Sequence, residues 1–318
     1  MHRLTQRSGA RRMAMAIGAA VLSLAAVGVA LAAPSTLTFT PQKADQITNI
    51  DVLRAQIKNY YGTPGATTGS GATAGWTLAL NQESNYAREA ESVAAEGAQW
   101  LQARAGKSAK PAIVFDVDDT TLTTYNYELF SNWDYNPGTN AVFVGLTGTT
   151  FTGNLFPATP GMVALAQKAH DLGYAIFWIT GRGDAQHAAT IANLVSDTAA
   201  GFPDITTVTY SGATLPEIDA GYPMPTALDI GHGGFTDGLF TKPSVGQYPA
   251  YLDTPEFCAD AIDAGKSCAT IPYKAGTRAY IESQGYDIVA DFGDQYSDLL
   301  GGYADRTFKL PNPSYYLP

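Results

Sequence analysis

The chain has 318 residues, 45% of them hydrophobic, with 19 Lys and Arg against 29 Asp and Glu, for a formal charge of -10. So acidic a balance excludes a protein that holds nucleic acid by its phosphates, because that needs a field of the opposite sign. Any phosphate site here must concentrate positive charge locally, and a metal ion is one way to do so.

Arg3, Arg7, Arg11 and Arg12 precede an apolar, Ala- and Gly-rich stretch from Met13 to Leu31 and the small-residue run Ala30-Leu31-Ala32. This order predicts a secretory signal peptide over residues 1–32, cleaved near Ala32, with no stable membrane anchor afterwards and a secreted mature protein. The Arg11-Arg12 pair leaves twin-arginine and general export equally open. Cleavage removes four arginines and no acid, taking the charge from -10 to -14.

Residues 33–108 read as an N-terminal helical region. Ile50, Leu53 and Ile57 recur at helical spacing after a possible Asn49 cap, and a second helix is expected from about Asn85 to Ala105 with Tyr86, Ala90, Val93, Gly97 and Leu101 on one stripe. Between them, the Gly/Thr/Ala run from Gly62 to Gly75 reads as a loop; no strand precedes it and no lysine follows its last glycine, so it is not a nucleotide loop.

From residue 109 to 318 short apolar runs alternate with helix-length segments, the pattern of a doubly wound α/β domain with a buried parallel sheet. The runs are Ile113 to Phe115, Ile176 to Ile179 and Ile288 to Ala290, and Pro160 through Leu172 reads as a helix closed by Gly173. The section from Ser211 to Cys268 is rich in Gly and Pro, with Leu239 and Phe240 as a further short strand. Cys258 and Cys268 lie close together in an apparently exported chain without a histidine nearby, which favours a disulfide over a metal site.

Each of the three longer apolar runs ends in polar residues where open parallel sheets place their ligands: Asp116 and Asp118, then Thr180, then Asp294. If strand alternation persists that far, Asp116 and Asp118 point the same way and crowd one pocket, an arrangement that calls for a cation or a shared proton. Isolated Asp119, Asp291 and Asp305 read as turn or capping residues. His170, His187 and His232 read as ordinary surface or loop residues. Tyr125, Tyr127, Trp133 and Tyr135, close behind the first run, serve either a leaving group or the core.

Asp116-Val117-Asp118-Asp119-Thr120 after an apolar strand resembles the first motif of the haloacid dehalogenase (HAD) superfamily of phosphatases. Ile179-Thr180-Gly181-Arg182 is similar to its second motif, Lys274 falls where a third-motif lysine is expected, and Gly293-Asp294-Gln295-Tyr296-Ser297-Asp298 is similar to the fourth. The tail from Arg306 to Pro313 resembles the acid phosphatase branch that holds the class B and C enzymes and the plant vegetative storage proteins. The resemblance implies a HAD-like fold and a phosphate monoester as substrate.

It further implies Asp116 as nucleophile, Asp118 as general acid and base, and Mg2+ held by Asp116, the Asp118 carbonyl and Asp294, with Asp298 as ligand or support. Thr180, Gly181, Arg182 and Lys274 would bind the phosphate, although Arg182 alternatively pairs with an acidic neighbour, Thr180 alternatively caps a helix, and Lys242 and Lys266 compete with Lys274. Asp119 stands where class C enzymes often carry Glu, and Cys258, the first cysteine, is far from any lipid-anchoring position. A non-catalytic storage or binding protein on the same fold, and phosphotransfer to alcohols, are the alternative functions.

Overall fold

The computed structural model describes residues 42–62, 80–210 and 212–316. The expected signal segment and most of the Gly62 to Gly75 loop lie outside the described residues. In chain order the elements are α1 (Ile50–Tyr60), α2 (Asn85–Arg104), β1 (Pro111–Phe115), α3 (Tyr125–Ser131), α4 (Pro137–Val144), β2 (Leu146–Thr147), β3 (Thr150–Phe151), α5 (Met162–Asp171), β4 (Ala175–Gly183) and α6 (His187–Leu194). They continue with β5 (Thr207–Tyr210), β6 (Ala213–Pro216), β7 (Leu239–Lys242), α7 (Ala259–Asp263), α8 (Thr270–Ser283), β8 (Asp287–Gly293), α9 (Tyr296–Leu299) and β9 (Thr307–Lys309).

Five strands form one sheet in the order β7-β4-β1-β8-β9, and every pairing in it is parallel. The chain runs outward from β1 through β4 to β7, then crosses back to β8 on the other side of β1. The strand order therefore reverses around β1, and a crevice opens there at the carboxyl ends, where α/β sheets bind ligands. This is the expected doubly wound α/β fold.

Period-two alternation divides the core. Ile113, Phe115, Ile176 and Trp178 pack with Leu101, Leu165 and Leu194 on one face, whereas Ala112, Val114, Phe177 and Ile179 pack with Tyr273 and Ile281 of α8 on the other. Among the described residues no helix is long and apolar enough to cross a membrane.

The Ser84 side chain accepts from the Ala87 amide and starts α2. Gly97 sits on the buried stripe because a Cβ there would stand 2.7 Å from the Phe292 ring, so the helix can approach β8 only without one. Of the apolar positions in α1, Ile57 is buried while Ile50 and Leu53 are exposed. The helix expected from Pro160 starts two residues later, at Met162, because Gly161 is left-handed (φ 80°) and breaks the helical path after the proline. The Gly- and Pro-rich section contains β6, which pairs antiparallel with β5 just before it, as well as β7, and the Cys258–Cys268 disulfide closes the segment before α8.

Candidate active site

β1 ends at Phe115, and Asp116 is the next residue, buried, with its amide bonded to the Phe292 carbonyl of β8 at 2.9 Å. The chain then leaves the strand: the Val117 carbonyl accepts from the amides of Thr121 and Leu122 at 3.0 and 2.9 Å. This tight turn ends the strand just past Asp116. Asp116 Oδ1 is bonded to the ammonium of Lys274 on α8. Asp118, partly exposed, is held by Arg182, with Nε 3.0 Å from Oδ2 and Nη2 2.6 Å from Oδ1. The two carboxylates still act on each other, the charge of Asp118 adding to the rise of Asp116, and each also has a cation beside it.

The fourth-motif region acts on Asp116 more strongly. Asp116, Asp294 and Asp298 are all buried, and one carboxylate oxygen from each lies within 4.8 Å of the others. Asp294 follows β8 directly, and α9 brings Asp298 back beside it. Gly293 permits that return, since a Cβ there would meet the Asp298 Cβ at 2.3 Å. Asp298 Oδ2 accepts from the Gln295 amide at 2.8 Å, and its Oδ1 lies 2.8 Å from Lys274 Nζ. Lys274 therefore bridges Asp116 and Asp298 from the opposite wall.

The electrostatics follow from burial. Burial pushes Asp116 up to about 7 against the pull of Lys274, with the charges of Asp298 and Asp118 adding to the rise. Asp294 is pushed well above the carboxylate range by burial and by Asp298, Asp116 and Asp119. Burial opposes the charged form of Lys274 too, but the Asp116 and Asp298 carboxylates outweigh it and hold the ammonium above its usual range. Three buried carboxylates facing one lysine leave negative charge uncompensated, and a divalent cation on their oxygens would relieve it. The donor set, all oxygen, fits such an ion.

Of the three candidate lysines, Lys274 reaches Asp116. Lys242, half-buried at the end of β7, pairs in register with Gly183 and is drawn down by burial and by the charge of Lys274. Lys266 is exposed in the loop before α8. The Thr180 hydroxyl is fully buried and accepts from the Arg182 amide at 3.1 Å, fixing the bend that aims Arg182 at Asp118; Gly181 is exposed at that bend. Arg182 also donates to Thr190 Oγ1 at 3.2 Å. The pairing of Arg182 with an acidic neighbour is present.

Asp119 is left-handed (φ 55°). Its carboxylate accepts from the Thr124 amide and hydroxyl at 2.8 and 2.5 Å, the capping role expected of it. His187 is not a surface residue, whereas His232 stands in a loop as expected. His187 is buried and stacked on Phe235 with ring centroids 3.7 Å apart. The His232 side chain is 4% exposed, with Nε2 3.2 Å from Asp184 Oδ1, while His170 is exposed. Tyr125 and Tyr127 are buried, and Tyr125 stacks on Tyr61 at 3.8 Å; Tyr135 is 71% exposed.

Two residues of this site stand outside the four motifs, Asn312 in the tail that resembles the acid phosphatase branch and Arg278 on α8. Asn312, in the tail after β9, donates to Asp294 Oδ2 at 2.7 Å, and Gln295 Nε2 donates to the same oxygen at 2.6 Å. Arg278, one helical turn after Lys274, is 1% exposed. It pairs with Asp291 at 2.9 Å and donates to the carbonyls of Asp298, Leu300 and Gly302, so it ties the fourth-motif loop to α8. Its i+4 spacing from Lys274 was the available clue.

Comparison with known proteins agrees with this geometry. The family model for the HAD superfamily, subfamily IIIB (acid phosphatase), matches residues 35–213 and 260–318. Acid phosphatase 1 of Solanum lycopersicum is 25% identical over 242 residues, covering 73% of this chain and 69% of that protein. Shorter matches join the chain to the stem 28 kDa glycoprotein of Glycine max, 55% identical over 49 residues, 15% of this chain and 19% of that one. Vegetative storage protein 2 of Arabidopsis thaliana is 43% identical over 54 residues, 17% of this chain and 20% of that one.

Among solved structures, the class C acid phosphatase from Bacillus anthracis with tungstate bound matches with a TM-score of 0.44 and 18% identity, over 74% of this chain and 81% of that one. With its strand-end carboxylates converging on a buried lysine, and with the family model spanning both the first and the fourth motif, the chain belongs to the HAD superfamily, subfamily IIIB, the acid phosphatases, and is a phosphomonoester hydrolase.

Proposed function

We propose that the protein is an exported, Mg2+-dependent acid phosphatase that works through an aspartyl-phosphate on Asp116. The observation that carries this reading is the setting of Asp116: buried at the carboxyl end of the central strand, bonded to Lys274 and grouped with Asp294 and Asp298. A carboxylate attacking a phosphate dianion meets repulsion that only fixed positive charge relieves. Lys274 supplies part of it, and Mg2+, held by Asp116, Asp294 and the main-chain carbonyl of Asp118 with Asp298 in support, would neutralise the phosphoryl oxygens.

An oxygen of Asp116 forms a bond to phosphorus while the bond from phosphorus to the alkoxy oxygen breaks, and Asp118 gives that oxygen its proton. Water then attacks the phosphorus, Asp118 takes the water's proton, and the bond to Asp116 breaks to release inorganic phosphate. Arg182 holds Asp118 in one orientation for both half-reactions, and the amides around Thr180 and Gly181 would receive the phosphate oxygens. Export is supported by the Cys258–Cys268 disulfide, since such bonds persist in oxidising compartments.

The test is release of phosphate from a chromogenic monoester by the mature protein, with Mg2+ or with chelator, beside Asp116→Asn. Mg2+-dependent turnover that the substitution abolishes is the expected result. The matches to stem glycoproteins and vegetative storage proteins favour one other reading, a storage protein on this fold. A folded wild type inactive on several monoesters from mildly acidic to neutral pH would establish it.

A further inference from the structure

A second group of acids lies outside the active site, where the turn after α6 meets the segment that leaves β6. One carboxylate oxygen from each of Asp197, Glu217 and Asp219 lies within 4.8 Å of the others. Main-chain bonds fix their carriers: the Glu217 amide donates to the Thr206 carbonyl at 3.2 Å, the Ile218 amide to Asn154 at 3.0 Å and the Ala220 amide to Asn193 at 2.9 Å.

Asp197 is only 2% exposed, yet its two oxygens are treated unequally. Oδ2 accepts from the Ile205 amide at 2.9 Å. Oδ1 is buried and has no donor among amides, hydroxyls or cations; the neighbouring Glu217 carboxyl bonds this carboxylate only when protonated and is another acceptor when ionised. A buried carboxylate oxygen without a donor is costly. Glu217 accepts twice from Asn154, from the amide at 2.9 Å and from Nδ2 at 3.2 Å, both on Oε1.

Among the described residues no lysine, arginine or histidine forms an ion pair with any of the three acids. Asp204 adds a further negative charge beside Asp197 and Asp219. The group thus lacks what the active-site acids have in Lys274, a cation of the protein's own.

We propose that Asp197, Glu217 and Asp219 bind a calcium ion, which supplies the missing partner of Asp197 Oδ1 and fastens the segment after β6 to the end of α6. Calcium takes carboxylate oxygens at about 2.3–2.6 Å in irregular shells, so two oxygens on opposite sides of one ion stand about 5 Å apart, a span that suits this group. Magnesium asks for a tighter and more regular octahedron. With three carboxylates at the surface end of a loop, binding of the order of 10⁻⁴ M is expected, in the range of extracellular calcium modules. Burial and the neighbouring acids push all three carboxyls upward, Glu217 to about 7, which accords with uncompensated charge. This site stands independently of the phosphatase reading.

The experiment is calorimetric titration of the mature protein with calcium chloride in saturating magnesium, which occupies the active-site acids, together with the thermal midpoint at each calcium concentration. One equivalent of calcium bound and a rise in midpoint are expected, both lost in Asp197→Asn and in Glu217→Gln while Mg2+-dependent hydrolysis persists. Two variants are needed because Asp197→Asn alone could weaken the Ile205 turn. Absence of calcium uptake by the wild type at millimolar concentration would overturn the proposal, as would uptake undiminished in Glu217→Gln. A Glu217→Gln protein that matches the calcium-loaded midpoint without calcium, beside a wild type that takes up none, would show that Asp197 and Glu217 merely share a proton.

Discussion

Arg182 meets Asp118 with two of its nitrogens, Nη2 at 2.6 Å from Oδ1 and Nε at 3.0 Å from Oδ2, across 64 residues of sequence. The guanidinium is itself buried and braced by Thr190, so the pair is a fixed fork rather than a surface contact. A lysine carries the same charge on a single point and cannot reproduce two parallel bonds. Arg182→Lys is expected to lower kcat roughly 10- to 100-fold by loosening Asp118, with a smaller change in KM. Steady-state kinetics on a chromogenic monoester decide it; wild-type kcat would show that this fork does not position Asp118.

Asn312 reaches Asp294 from the tail after β9, 2.7 Å away, on the oxygen that Gln295 also contacts. Groups that orient a metal-binding carboxylate typically govern affinity by about 10- to 100-fold. Asn312→Ala should therefore shift the Mg2+ concentration for half-maximal hydrolysis upward by about that factor, with activity regained at high Mg2+. An unchanged magnesium dependence would make the tail a packing element only.

Arg278 and Asp291 form a pair in which both members are almost wholly buried. Removing one partner leaves a charge without its counterion, which costs about 3–5 kcal/mol. Arg278→Met should lose that much stability in urea denaturation. Adding Asp291→Asn should recover part of it, because the stranded carboxylate is gone while the three carbonyls that Arg278 served remain unsatisfied. Equal stability of the single and double variants would place the whole cost on those carbonyls.

Glu128 on α3 is pushed from 4.5 up to about 8 by burial, with the charge of Asp119 adding to the effect. The folded state then keeps a proton that the unfolded chain releases, so stability from this group is full below 4.5 and is lost as pH rises through about 8. Glu128→Gln should match wild type in acid and be more stable than wild type at pH above 8. Denaturation midpoints measured at both ends of this range test the sign.

The Cys258–Cys268 bond spans a sequence separation of 10 residues. Constraint of so short a loop in the unfolded chain is worth about 2–3 kcal/mol. Replacing both cysteines by serine should lower the melting temperature correspondingly. Below that transition turnover should be retained, since the bond lies outside the acidic group around Asp116.

The sequence by itself determined the sheet and its ends. Apolar runs stopping at Asp116, Thr180 and Asp294 announced buried parallel strands, because a strand covered on both faces has no polar alternation to show until it reaches the crevice. Family resemblance marked Lys274 and Asp298, and the export reading marked the cysteine pair. Which cation each of Asp116 and Asp118 meets was not legible, since the turn after Asp116 is made by main-chain bonds to the Val117 carbonyl and leaves little trace in side-chain pattern. His187 misled for a related reason: what buries it is the stacked ring of Phe235, from a distant Gly-rich loop.

Tertiary structure alone decided the partners. That Arg182 holds Asp118, that Arg278 braces the fourth-motif loop, and that Asn312 returns to Asp294 are contacts between segments that the chain separates and the fold brings together. The strand-end residues could be read early because burial imprints a local pattern. Ion pairs and hydrogen bonds across the crevice depend on distances that only the closed fold sets.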